Sequence, residues 1–303
     1  MERIRSLADE LRQISDLRVE QDHPIAPHTT FRIGGPAALA LFPATAQAAA
    51  EALGAIARSA VPHAVIGRGS NLLCADAGFA GAVLFTGEMR QVAFDGTEVR
   101  ADCGASLTSL AYESGQRCLD GLTFAYGIPA SVGGAVRMNA GAYGGQMSDV
   151  LYESTYFDMN DGEIHRLDAP AHDFFYRHSF YADHPECVVL SATLRLREGD
   201  SVSLCAQMQE LMQRRRDKQP LEYPSAGSVF KRPEGYFAGK LIEDCGLKGY
   251  AIGGAQVSEK HAGFIINRGN ATADDVLRLI AHIQSCVLTQ FGVELKCEVC
   301  RLG

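Results

Sequence analysis

The chain lacks any run of about 18 apolar residues, the length a bilayer-spanning helix requires, so no membrane span is expected. Its opening residues, MERIRSLADELRQISDL, carry Glu2, Asp9 and Glu10 and lack the apolar centre of a secretion signal. Basic charge is not in surplus. Lys and Arg number 28 against 36 Asp and Glu, a net charge of −8, so no general affinity for nucleic acid or anionic membrane is expected. No His spacing matches a metal site such as H-E-x-x-H. Cys297-Glu298-Val299-Cys300 is a C-x-x-C without a second one, at the end of a strand-like run, so neither metal nor redox use is expected. Repeats and low-complexity segments are also missing. The nine cysteines, an odd number without a secretion signal, read as reduced thiols of a cytoplasmic protein.

At 47% apolar and 21% charged, the composition is that of a folded globular chain and excludes a disordered chain, a collagen or a rod. The 303 residues suggest about two domains. Glycine is abundant, with 31 copies, and it clusters in IGRGSNLL (66–73), YGIPASVGGAV (126–136), NAGAYGG (139–145) and AIGGAQ (251–256). Glycine lets the backbone approach a ligand closely, and it also serves plain tight turns.

Helix and strand signals alternate. Residues 2–14 place Ile4, Leu7, Leu11 and Ile14 near helical spacing, and Thr45 caps an Ala-rich helix over 45–58. Ser106–Arg117 and Ser203–Gln213 read as helices. Thr272 with Asp275 forms a capping-box start before the stripe Val276, Leu279, Ile280, Ile283, Val287. His63–Gly67, Ala82–Phe85, Gln91–Phe94 and Cys187–Arg197 read as strands. The mixture predicts an α+β fold with a boundary near 198–220.

GRGSNL (67–72) begins like the dinucleotide fingerprint, but Leu72 stands at the third glycine, so a doubly wound fold is not supported. The loop reads either as a nest of N–H groups for a phosphate or as a turn. In GIPASVGGAV (127–136), Pro129 stiffens a loop, and Gly133 and Gly134 are expected to expose backbone amides. The small residues run on through Asn139–Ala142. They suit a large ligand lying on the main chain, or the packing of two backbone layers. Arg177, among the aromatics of DFFYRHSFY, either snorkels and stacks or is held as an anion fork. Ser228-x-x-Lys231 has the spacing of a serine acylase, but the S-D-N and K-T-G elements are missing and that reading falls. Ser225, Ser228 and Lys231 still suggest a polar site. Lys260 and His261 precede an apolar strand, where a His reads as structural. Glu298, in ELKCEVC, is either a buried functional acid or a surface strand residue.

Taken in order, TTFRIGGPA (29–37), GRGSNLL (67–73), GIPASVGGAVRMNAGAYG (127–144), YRHS (176–179), PSAGSVFKRP (224–233), AGKLIEDCGLKGYAIGGAQVSEKHAGFIIN (238–267) and LKCEV (295–299) resemble the UDP-N-acetylenolpyruvoylglucosamine reductases, also called UDP-N-acetylmuramate dehydrogenases. The shorter, type II form is the better match. The resemblance spans nearly the whole chain. It implies an α+β fold: a two-subdomain FAD-binding module of the vanillyl-alcohol-oxidase (PCMH) type, plus a C-terminal α+β substrate-binding domain. The corresponding segments are 1–85, 86–199 and 200–303. It also implies reduction of UDP-N-acetylglucosamine enolpyruvate to UDP-N-acetylmuramate for peptidoglycan, with non-covalent FAD and with NADPH as reductant, in ping-pong order. Small molecules are the implied partners, with no obligate protein partner.

Carried over residue by residue, Arg177 stabilises the enolate-like charge, Glu298 assists it, and Ser228 supplies the proton. A neutral Glu298, with its pKa raised, suits that role. Lys231 and Asn139 are expected to bind substrate. For FAD the resemblance implies Gly67, Arg68, Gly69, Ser70, Asn71 and Leu72 in one segment. In the next it implies Tyr126, Gly127, Ile128 and Pro129, then Ser131, Gly133, Gly134 and Ala135. Two departures stand out: Ala130 where the family usually has glycine, which asks for a negative φ, and Cys297 where proline is common. Arg68 and Arg137 are read as loop positions. Two other functions were open at this point. A sugar or alcohol oxidase sharing the FAD module should lack SAGSVFK together with the terminal Glu. A non-enzymatic nucleotide-sugar binder has no use for Arg177, Ser228 and Glu298.

Overall fold

The computed structural model describes residues 2–303. Eight helices lie among the described residues: α1 (Glu2–Leu11), α2 (Ala46–Ser59), α3 (Leu107–Gln116), α4 (Val132–Arg137), α5 (Phe180–Asp183), α6 (Ser201–Lys218), α7 (Ala238–Asp244) and α8 (Ala273–Phe291). Their starts follow the capping rules. Thr45 Oγ1 accepts from the Ala48 N–H at 3.1 Å at the head of α2. At α8, Thr272 and Asp275 form the full capping box, and Gly292 closes the helix at φ +67°. No helix among the described residues is long and apolar enough to cross a membrane.

The chain forms two compact units. The first comprises residues 1–21, 38–68 and 81–213. A four-stranded sheet has the order Leu17–Pro24, Pro36–Pro43, Phe79–Phe85, His63–Ile66, the last pair being parallel. A five-stranded antiparallel sheet has the order Ile164–Asp168, Leu151–Asp158, Cys187–Arg195, Glu98–Asp102, Val92–Asp95. The core of this unit draws on Leu7 and Leu11 of α1, Leu53 and Ile56 of α2, Leu107 and Leu110 of α3, and Leu190, Ala192 and Leu194 of the long strand.

The second unit comprises 22–37, 69–80 and 214–303. Its sheet has the order Ser225–Ser228, Phe264–Asn267, Ala255–Val257, Ala251–Ile252, all antiparallel. Cys300–Leu302 pairs in parallel with Leu72–Cys74. The stripe Val276, Leu279, Ile280, Ile283 and Val287 is buried with Ile265, Phe230 and Leu241. Phe31, Ile33 and Leu73 join this second core from far upstream in the chain, so the units do not follow sequence order. The division into 1–85, 86–199 and 200–303 stays a proposal beside this arrangement. α6 runs through most of the stretch 198–220, and the border between the units falls within it, at 213/214.

Candidate active site

In the first unit the strand His63–Ile66 delivers Gly67 against the loop before α4. A Cβ on Gly67 would overlap Ser131 Oγ, with Ser131 Cβ only 3.0 Å away, so a side chain is excluded there. Ser131 is buried, and its Oγ caps α4 by accepting from the Gly134 N–H at 3.3 Å.

The expectation that Gly133 exposes its amide is not met. Its N–H donates to Cys103 O at 2.8 Å, and a Cβ on it would sit 2.8 Å from Cys103 Cβ. The glycine is there for the packing of two backbone layers. Ala135 is fully buried, and its N–H bonds Ser131 O at 2.8 Å. Ser131 and Ala135 are buried and Gly133 is half-buried, and α4 stands where a loop was expected. Arg137 closes this helix and is not a loop residue.

Tyr126, Gly127 and Ile128 are half-buried, and Pro129 and Gly134 are exposed. Gly127 has φ +88°. Within the run Tyr126–Pro129 only Gly127 lacks a side chain, so it is the point where a ligand can approach the backbone closely. Ala130 keeps a negative φ, as its departure from glycine required, and its carbonyl accepts from the Leu107 N–H at 3.0 Å.

Arg68 is exposed and ends its segment of the first unit, while Gly69–Leu72 belong to the second. Gly69 has φ +57°, and a Cβ there would lie 2.5 Å from His28 O. Ser70 and Leu72 are half-buried. Asn71 Nδ2 donates to Glu298 O at 3.0 Å, and Asn71 O accepts from the Cys300 N–H at 2.9 Å.

Arg177 sits on a tight turn, Phe175–His178, closed by His178 N–H donating to Phe175 O at 3.1 Å. It is half-buried, has φ +57°, and its Nη1 lies 3.4 Å from Gly141 O. Its guanidinium carbon stands 5.5 Å from the Tyr176 ring centre, at the outer edge of cation–π reach. Asn139, expected to bind substrate, is 2% exposed and spent within its own unit. Its Nδ2 donates to Phe175 O at 3.2 Å, and its Oδ1 accepts from the Ser148 N–H at 3.0 Å.

Ser228 ends the strand Ser225–Ser228, which pairs with Phe264–Asn267 at Ser225↔Ile266 and Ser228↔Phe264. Three steps on one strand meet two on the other, a bulge at Ala226-Gly227. Gly227 takes φ +73° there. Such bulges re-aim the side chain that follows. Ser228 Oγ donates to Phe230 O at 3.2 Å.

Glu298 is half-buried beside it. Its N–H donates to Val229 O at 2.8 Å, and Cys297 bridges Phe230. The run 293–299 is thus not a strand but one bridge followed by Cys300–Leu302. Main-chain bonds place Glu298, so Cys297 in place of proline leaves it held. Burial raises the Cys297 thiol above its ordinary range. Lys231 is half-buried, and its N–H donates to Lys296 O at 2.8 Å.

His261 Nδ1 accepts from the Gly263 N–H at 3.1 Å, and burial holds its pKa below the ordinary value. A Cβ on Gly263 would lie 3.0 Å from His261 Cε1 and 3.4 Å from Ser228 Oγ, so the ring is near the serine. Sequence reading treated His261 as structural and did not anticipate that closeness. It also missed the use of Asn139.

The structure thus places Ser228, Lys231 and Glu298 on neighbouring segments of the second unit, and Arg177 with Asn139 in the first.

A family model described as "UDP-N-acetylenolpyruvoylglucosamine reductase, C-terminal domain" matches residues 219–302. The reductase of that name from Pediococcus pentosaceus is 47% identical over 291 residues, 95% of each chain. The chain belongs to the UDP-N-acetylenolpyruvoylglucosamine reductase family. The reductase from Caldanaerobacter subterraneus subsp. tengcongensis is 45% identical over 298 residues, 98% of each chain. An "FAD binding domain" model covers 37–168. The crystal structure of UDP-N-acetylenolpyruvylglucosamine reductase from Thermus caldophilus superimposes with a TM-score of 0.81 at 34% identity. That match covers 95% of this chain and all of the other. The fold class is the expected α+β one, with an FAD-binding domain followed by the C-terminal domain of this reductase family.

Proposed function

We propose that the protein reduces UDP-N-acetylglucosamine enolpyruvate to UDP-N-acetylmuramate, with NADPH as reductant, in the cytoplasm of a peptidoglycan-building cell. FAD, held by this chain, would supply hydride transfer from NADPH to the terminal vinyl carbon of the substrate. The rest is the work of side chains. As hydride adds, negative charge develops on the adjacent carbon and spreads into the carboxylate. Arg177 supplies fixed positive charge to that enolate-like species. Glu298 assists in stabilising the developing charge.

Ser228 delivers the proton to the anionic carbon. A hydroxyl is a weak acid, but the carbanion is a strong base and the donor is fixed in place. Lys231 binds substrate phosphate or carboxylate. Tyr126–Pro129 and Gly134 contact FAD, the two glycines letting it approach the main chain, without a covalent link. Asn139 is not assigned to the substrate, because its amide is engaged at both ends.

The observation that carries this reading is the seating of Ser228 and Glu298. A bulge aims the first, and a main-chain bond from Glu298 to Val229 sets the second beside it. The test is product formation. Purified protein with FAD, NADPH and the enolpyruvyl substrate should yield UDP-N-acetylmuramate, seen as a mass gain of two hydrogens. NADPH consumption that depends on oxygen and leaves the enolpyruvyl substrate intact would refute it.

A further inference from the structure

Arg177 occupies a conformation it would not choose. In the four-residue turn Phe175–His178 it is the third residue, with φ +57°, a place that usually goes to glycine. Something must hold the turn against that preference. The Phe175 carbonyl accepts two bonds, from the His178 N–H at 3.1 Å and from Asn139 Nδ2 at 3.2 Å. The partners also fix which way the Asn139 amide points. The Ser148 N–H can only donate, so it faces Oδ1, and the Phe175 carbonyl can only accept, so it faces Nδ2. Asn139 is buried at 2% exposure, and Gln146 Oε1 lies 3.4 Å from the same Nδ2. Arg177 Nη1 in turn reaches Gly141 O at 3.4 Å, two residues along the chain from Asn139. One buried amide therefore ties the turn at 175–178 to the segment 139–148.

We propose that Asn139 is a positioning residue: it clamps the Phe175–His178 turn and so holds the Arg177 guanidinium where the reaction needs it. This rests on the reading of Arg177 as the stabiliser of the enolate-like charge, and the test separates the two.

Asn139→Asp keeps the acceptor for Ser148 and replaces the donor to Phe175 by an oxygen. Asn139→Gly removes the side chain at a position whose φ of +41° glycine accepts readily. Two readouts are taken on the FAD-loaded protein. Limited trypsin digestion reports the turn itself, through cleavage after Arg177. In either variant this cleavage should rise about tenfold, with other sites unchanged, because exposure to protease tracks local opening.

Anaerobic half-reactions report the chemistry. Flavin reduction by NADPH should stay within about twofold, while reoxidation by substrate should slow by about 10–100-fold, the scale of a misplaced group. Added to Arg177→Ala, Asn139→Asp should slow reoxidation no further. Unchanged cleavage after Arg177, equal slowing of both half-reactions, or full additivity with Arg177→Ala would each overturn the clamp. Normal reoxidation in Arg177→Ala would instead refute the role of Arg177, while the digestion still decides the clamp. If neither variant folds, hydrogen exchange on the parent protein decides it. A His178 amide protected like those of α4 supports the clamp, and one exchanging as fast as open loops contradicts it.

Discussion

In the second unit, Ser228 and Glu298 are set by main-chain bonds: a bulged ladder to Phe264–Asn267 for one, an N–H to the Val229 carbonyl for the other. In the first, Arg177 stands on a turn outside any extended ladder, and a buried side chain reaches across to hold it. The two arrangements should respond differently to mutation. Backbone placement tolerates changes of neighbouring side chains, as Cys297 in the place of proline illustrates. Side-chain placement is sensitive to the residue that makes the bond.

The largest effects should come from the chemical groups themselves. Ser228→Ala and Arg177→Ala should each slow substrate-driven flavin reoxidation by about 10²–10⁴-fold, the range of a lost general acid or charge stabiliser. Flavin reduction by NADPH should hold within about twofold in both. Stopped-flow absorbance separates the steps. A loss of reduction as large as the loss of reoxidation would erase the contrast with a purely structural defect.

Next in size is the packing of the glycine-rich loop. Gly133→Ala presses on Cys103 and should cost about 2 kcal/mol in urea unfolding. Gly134→Ala meets only Ser131 Oγ at 3.2 Å and sits in a helix, so stability should hold or rise by up to about 1 kcal/mol. Its FAD affinity, measured by fluorescence titration, should fall all the same. Equal stability losses at the two glycines would mean that the inward and outward faces of α4 have been wrongly assigned.

Smaller again are the helix caps. Thr45→Ala in the first unit and Thr272→Ala in the second should each cost about 1 kcal/mol. Thr272 should cost the more of the two, because its capping box closes both ways.

The smallest contrast is in pH. Burial holds His172 and His261 below the ordinary 6.5, so both are neutral in the folded chain. His172 Nδ1 lies 2.9 Å from Asp168 O, which makes that nitrogen the donor and leaves Nε2 to accept from Ser154. The unfolded chain takes up these protons first. Stability is therefore complete above about 6.5 and falls as the pH drops through it. Melting temperatures between pH 7.5 and 5.5 should decline, and less steeply in His261→Gln. A rise on acidification would contradict the neutral assignment.

The sequence carried the helices best. α2 and α8 were legible because Thr caps precede long apolar stripes. The strand Leu17–Pro24, at the end of its sheet and full of charged residues, showed no usable alternation. α4 is six residues long, too short for a period to register, and its glycines read as loop. The chemical residues were legible only as a set of motifs, since a single Arg among aromatics or a single Ser-x-x-Lys has ordinary explanations. The clamp by Asn139 was out of reach, because it depends on a contact 36 residues away.

The most direct measurement is an anaerobic two-step absorbance experiment on the FAD-loaded protein. Addition of NADPH should bleach the flavin. Subsequent addition of UDP-N-acetylglucosamine enolpyruvate should restore its colour, with one UDP-N-acetylmuramate formed per flavin. Bleaching that the enolpyruvyl substrate does not reverse, in folded protein, would contradict the proposed reaction and leave only a flavoprotein of another substrate.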